Sequence, residues 1–71
     1  MKLITITITI NGATRRLPDA TSVGALIAEM GLTGKRIALE RNGEIVPRSS
    51  FATQRLADGD KLEVVVAVGG G

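Results

Sequence analysis

From Leu3 to Ile10 the chain reads Leu-Ile-Thr-Ile-Thr-Ile-Thr-Ile, a strict alternation of β-branched residues. A period of two puts Ile4, Ile6, Ile8 and Ile10 on one face of a strand and Thr5, Thr7 and Thr9 on the other. The Ile face is expected to lie on the core and the Thr face towards solvent. Asn11-Gly12 supplies residues that tolerate positive φ in a two-residue hairpin turn, so a second strand over Ala13–Leu17 should return antiparallel. Pro18-Asp19-Ala20 ends that pattern. From Thr21 the period changes: Val23, Leu26, Ile27 and Met30 stand at i, i+3, i+4 and i+7, one apolar stripe on a helix. Thr21 or Ser22 suits the cap of its first turn, and Gly31 suits the position just past its end. This helix is expected to cover the Ile face, since neither element buries its apolar side alone.

Arg36–Arg41 reads as a third strand with Ile37 and Leu39 inward. Asn42-Gly43 is a second hairpin turn, followed by a short strand Glu44–Val46 that stops at Pro47. Ser49–Leu56 is expected to make one or two helical turns, with Phe51 and Leu56 inserted under the sheet. Asp58-Gly59-Asp60 is a turn whose carboxylates should bond their own backbone. Lys61–Val68 is the last strand, with Leu62, Val64, Val66 and Val68 on one face and Glu63, Val65 and Ala67 on the other. The order is β-β-α-β-β-(short helix)-β, an α+β pattern. The most apolar strands are the first and the last, which should therefore pair at the centre. A mixed sheet of about five strands packed on one main helix in this order is a β-grasp, or ubiquitin-like, roll. It is expected to occupy residues 1–68, with 69–71 as a flexible C-terminal Gly tail.

Composition narrows what such a domain does. At 71 residues the chain forms one domain. It contains no Cys and no His, so the best nucleophile and the usual general base are both absent. A fold this small rarely encloses a substrate pocket, and intrinsic catalysis is not expected. No resident cofactor is expected, and Asp58 with Asp60 lacks the further ligands a metal site needs. The formal charge is +2, with no long basic run and a single aromatic, Phe51; this speaks against nucleic-acid binding. The apolar stretches are too short for a membrane span, and Lys2 followed by a Thr/Ile alternation is no secretory signal. The cytoplasm is the expected location.

The sequence closes on Gly69-Gly70-Gly71. Read alone, such an end is equally an ordinary fraying terminus. Read for function, three residues without Cβ atoms are thin and reach about 10 Å when extended. Gly69 and Gly70 would then give access to a partner's active site, and the carboxylate of Gly71 would be the group presented. Val65, Ala67 and Val68, close to this tail, are candidates for a partner surface, although ordinary strand composition explains them equally well. Arg48 and Arg55 read first as solvated surface charge and second as groups for acidic partner residues.

Several segments together resemble the ThiS family, the sulfur carriers of thiamin biosynthesis. They are a first strand running into Asn11-Gly12, a helix ending near Gly31, and Asn42-Gly43-Glu44-Ile45-Val46-Pro47-Arg48-Ser49. The aromatic Phe51, Asp58-Gly59-Asp60 and the closing Val68-Gly69-Gly70-Gly71 complete the likeness, which covers nearly the whole chain. Two departures are an aromatic that is usually Trp in the family and a longer Ile/Thr repeat. The resemblance implies that an E1-like enzyme of the ThiF type consumes ATP to adenylate Gly71. A sulfur donor protein then allows conversion to a thiocarboxylate, and a thiazole synthase of the ThiG type uses it. Rivals on the same fold are a MoaD-like carrier for molybdopterin or tRNA thiolation, a ubiquitin-type protein modifier, and a plain interaction module. MoaD-like chains are usually longer and richer in Phe before the tail.

Overall fold

The Ile/Thr alternation forms the strand it predicts. In the computed structural model, which describes residues 4–67, β1 is Thr5–Ile10, with Ile6, Ile8 and Ile10 buried and Thr5 and Thr7 exposed. Asn11 (φ 50°) and Gly12 (φ 84°) turn the chain, and β2 (Ala13–Pro18) returns antiparallel with Ile6 opposite Leu17 and Ile10 opposite Ala13. Helix α1 is Val23–Glu29. Ser22 is its cap, its Oγ accepting from the Ala25 N–H at 3.1 Å. The Thr21 hydroxyl instead donates to the Pro18 carbonyl. Gly31, at φ 73°, takes the left-handed position that ends the helix. β3 (Ile37–Arg41), β4 (Glu44–Ile45) and β5 (Lys61–Val66) complete the elements, with a single 3-10 turn at Arg48–Ser50.

The sheet order is β2-β1-β5-β3-β4. The last strand therefore lies at the centre, parallel to β1 and antiparallel to β3, as expected of a β-grasp. One face carries the core: Ile6, Ile8, Ile10, Leu17, Leu39, Leu62 and Val64 pack against Val23, Leu26 and Ile27 of α1. Burying each such side chain is worth about 1.5–3 kcal/mol. Leu56 and Val46 close the core from the connecting segments. Segment 50–56 also holds the start of the helix. The Val23 N–H donates to the Gln54 carbonyl at 3.0 Å, the Gly24 N–H to Phe51 at 2.8 Å, and the Leu56 N–H to Thr21 at 2.9 Å.

The structure departs from the sequence expectations where tertiary neighbours decide. Ile4 precedes β1 and is 63% exposed rather than on the core. The fourth strand is two residues long: Val46 leaves it and turns into the core, while Ile45 faces outward at 64% exposure. The helical turn expected over Ser49–Leu56 is present as the 3-10 turn Arg48–Ser50 followed by further turns, with Leu56 buried and the Phe51 carbonyl taken by Gly24. Phe51 is half-buried and packs against the core. The described part of the last strand ends at Val66, which is 39% exposed instead of inward. By that point β1 has already turned away at Asn11.

Both hairpin turns reach β5 with their side chains. The Asn11 amide donates to the Val64 carbonyl at 3.0 Å and accepts from the Val64 N–H at 2.8 Å. The Asn42 side-chain carbonyl accepts from the Lys61 N–H at 2.9 Å. Asn11→Gly keeps the positive φ of the turn and removes only the two amide bonds. It is expected to lower unfolding free energy by about 1–2 kcal/mol, read as a shift of the urea midpoint with an unchanged m-value.

Candidate functional site

Strand β5 precedes, in the sequence, the segment singled out there, so its anchoring defines the site. The anchor is Asp60, the residue before the strand, buried at 6% exposure. Its Oδ2 accepts from the Ala57 N–H at 2.8 Å and from Arg41 Nε at 2.8 Å, and Oδ1 accepts from the Asn42 amide at 3.1 Å. The same guanidinium forms an ion pair with Asp60 at 2.8 Å and also donates to Gln54 at 2.9 Å. Asp58 behaves differently from the expected local turn bond: its Oδ1 accepts from the Thr7 N–H of β1 at 2.7 Å. The turn before β5 is thus tied to β1 by Asp58 and to β3 by Asp60.

Of the candidate partner residues, Val65 and Ala67 lie on the outer face of the sheet, Val65 being 64% exposed. Val65 pairs with Ala38, and the next outer pair is Glu63 with Glu40. Ile45, opposite Glu40, extends this face. Arg48 is exposed, and its guanidinium donates to the Lys35 carbonyl at 2.7 Å, tying the 3-10 turn to the approach of β3 one residue before Arg36, whose carbonyl accepts from the Ala67 N–H. Arg55 donates to the Ala20 carbonyl at 3.4 Å. Both arginines therefore hold backbone in place. Val68, Gly69, Gly70 and Gly71 lie outside the described residues.

Among the described residues no group of three or more acidic, His or Cys side chains is placed to hold a metal. None of their helices is long and apolar enough to cross a membrane. An open crevice of about 380 Å³ lies between α1 and the approach to β3, lined by Ile27, Leu32, Ile37 and Phe51 with Lys35 and Arg48 at its edge. It contains no nucleophile beside a general base. What the described residues supply is a strand held at its base and on both sides. Reading the sequence missed Asn11, Asn42 and Asp60 as strand anchors. The available signal was an Asn, which both donates and accepts, in each of the two turns.

These features define the class: a small ubiquitin-like β-grasp domain whose central strand runs towards a glycine end. The chain belongs to the ThiS family, whose family model matches residues 5–71. It is 47% identical over 71 residues to a thiazole synthase of Paramagnetospirillum magneticum, covering all of this chain and 20% of that protein. The chain thus spans about a fifth of that relative's length. The sulfur carrier protein ThiS of Bacillus subtilis is 36% identical over 53 residues, 75% of this chain and 80% of that one. Among solved structures, the thiamine biosynthesis protein ThiS of Geobacter metallireducens superposes with a TM-score of 0.78 at 26% identity, covering 93% of this chain and all of that one.

Burial acts to raise the Asp60 pKa, but the Ala57 N–H, the Asn42 amide and the Arg41 guanidinium together outweigh it and hold the carboxyl below its ordinary value of 3.8. A depressed folded-state pKa stabilises the fold above the unfolded value, and that contribution is lost as pH falls through the folded one. Stability is therefore expected to decline below pH about 4. Asp60→Asn is expected to cost about 2 kcal/mol at pH 7 and to flatten the acid limb. Urea titrations of both proteins across the acid range measure the two effects.

Proposed function

We propose that this chain is a sulfur carrier for formation of the thiamin thiazole, with the carboxylate of Gly71 as its reactive group. An E1-like enzyme binds the folded head and receives the glycine end. A carboxylate oxygen attacks the α-phosphate of ATP, pyrophosphate leaves, and an acyl-adenylate forms. A sulfur nucleophile provided through a donor protein then adds to the acyl carbon and AMP departs with the bonding pair. The product is a Gly71 thiocarboxylate, which a thiazole synthase uses as its sulfur source. Adenylation is the necessary step, because a carboxylate oxygen is otherwise too poor a leaving group for sulfur to displace.

The observation that carries this reading is the family match, which runs through to Gly71, on a chain with no Cys or His of its own. The relative from Paramagnetospirillum supports the choice of acceptor. There the matching segment is part of a polypeptide named as a thiazole synthase. The head serves as the address and the partners provide the catalysis. Val65 and Ala67, exposed beside the end of β5, belong to the surface those partners hold.

Intact mass tests the proposal. The chain ending at Gly71, incubated with ATP, the adenylating enzyme and a sulfur source, is expected to gain first an adenylate and then the mass difference of sulfur for one oxygen. Neither species appearing beside a demonstrably active enzyme refutes it. Deleting Gly71 is expected to abolish both and to leave the melting temperature unchanged. Conjugates to lysine amines in place of the thiocarboxylate identify a protein modifier.

A further inference from the structure

The direction of every main-chain group on β5 follows from its bonds. The Ala67 N–H donates to the Arg36 carbonyl at 2.8 Å, and the Asn42 N–H donates to the Lys61 carbonyl at 2.8 Å. Odd-numbered residues of the strand therefore direct N–H and C=O at β3. Even-numbered residues direct theirs to the opposite side: the Asn11 N–H donates to the Leu62 carbonyl at 2.9 Å, and the Asn11 side chain satisfies both groups of Val64. Val66 is the next even residue. Its N–H and C=O point beyond Asn11, to where β1 has already turned into β2, and its pairing with Ile37 uses neither group. The register of β1 on β5 stops at Ile10–Leu62. Among the described residues nothing pairs with Val66 on this side.

An unpaired main-chain edge is normally blunted by Lys, Pro or a bulge. Val65-Val66-Ala67 has none of these, and Val66 is 39% exposed. We infer that this short edge is a docking strand. An extended segment of the enzyme that receives the glycine end pairs with the Val66 main chain and continues the sheet past Asn11. Main-chain pairing of this kind provides grip and direction without demanding particular side chains. The Asn11 amide already fills the position lateral to Val64, so a pairing segment starts beside Val66 and runs outward. A second copy of β5 lying antiparallel would meet Asn11 immediately, which disfavours self-pairing and selects a partner's segment. The identity of that enzyme rests on the sulfur-carrier reading; the edge itself does not.

Amide hydrogen exchange on the wild-type chain is the test, run alone and with saturating adenylating enzyme. The Val66 amide is expected to exchange fast in the free chain, while the Val64 and Ala67 amides are protected. In the complex it is expected to become protected. Val66→Pro, which deletes an N–H unused within the fold, is expected to weaken that complex about tenfold, whereas Val66→Thr, which keeps the N–H, binds as wild type. If the proline variant fails to fold, the wild-type exchange decides. A Val66 amide that stays open in the saturated complex, the absence of a complex, or protection that grows with the concentration of the chain alone overturns the inference. Thiocarboxylate formation with an unprotected Val66 sinks the edge only. A protected Val66 without thiocarboxylate sinks the carrier chemistry only.

Discussion

The pairing of β5 between β1 and β3 is the constraint on which the rest of this domain depends. The β1–β2 and β3–β4 hairpins are each local, and the sheet order joins them through β5 alone among the described residues. That strand is the fifth in sequence order, and its bonds to Asn11 span 53 positions of sequence. Loop closure over such a distance costs entropy before any contact rewards it. The parallel ladder that closes it is short, only Thr9–Lys61 and Ile10–Leu62. Two positions of slanted parallel bonds hold little by themselves. Side chains complete the grip, with Asn11 beyond the end of the ladder and Asp58 and Asp60 before its start.

The residue types at these anchors follow from what each has to bond. Asn11 faces both the N–H and the C=O of Val64, so its side chain has to accept and donate together. An Asp there would lose the donor and set a carboxylate against a carbonyl. Asn42 likewise accepts from Lys61 and donates to Asp60. Both positions also require positive φ, which Asn tolerates better than other residues with side chains. Turn geometry and strand anchoring thus converge on one amino acid, twice. Asp60 is the converse case. Its neighbours present N–H donors and a guanidinium, and only an ionised carboxylate satisfies all of them.

Periodicity was enough to read the local elements. The Ile/Thr alternation located β1, the Val23, Leu26, Ile27 and Met30 spacing located α1, and the two Asn-Gly pairs located the turns. The central position of β5 followed from the apolar character of the first and last strands. Side-chain roles that exist only after the sheet is ordered were not legible. Nothing near Asn11 in the sequence indicates Val64, and nothing near Arg41 indicates Asp60. Val66 continues a perfect alternation, yet its burial depends on where β1 stops. Ile45 and Val46 are equally apolar neighbours, and only the register against Glu40 decides which faces the core. The candidate site was legible as a family likeness and as an absence of catalytic side chains, but its anchoring was not.

The sulfur-carrier role proposed for this domain is one that geometry meets. On the proposed reading, the enzyme needs the Gly71 carboxylate at one point in its own active site, and the head determines the region that group can reach. The β3 ladder holds β5 as far as Ala67, leaving four residues to Gly71, a span of at most about 14 Å. The origin of that span is fixed by the bonds at Asp60, Asn42 and Asn11. Weakening them shifts the point of departure as well as lowering stability, and a shift near 1 Å at a reacting group is enough to cost about a hundredfold in rate. Anchors that look purely structural therefore enter the reaction through position. The side-chain bonds of Asn11, Asn42, Asp58 and Asp60 are gathered around the strand that precedes the glycines.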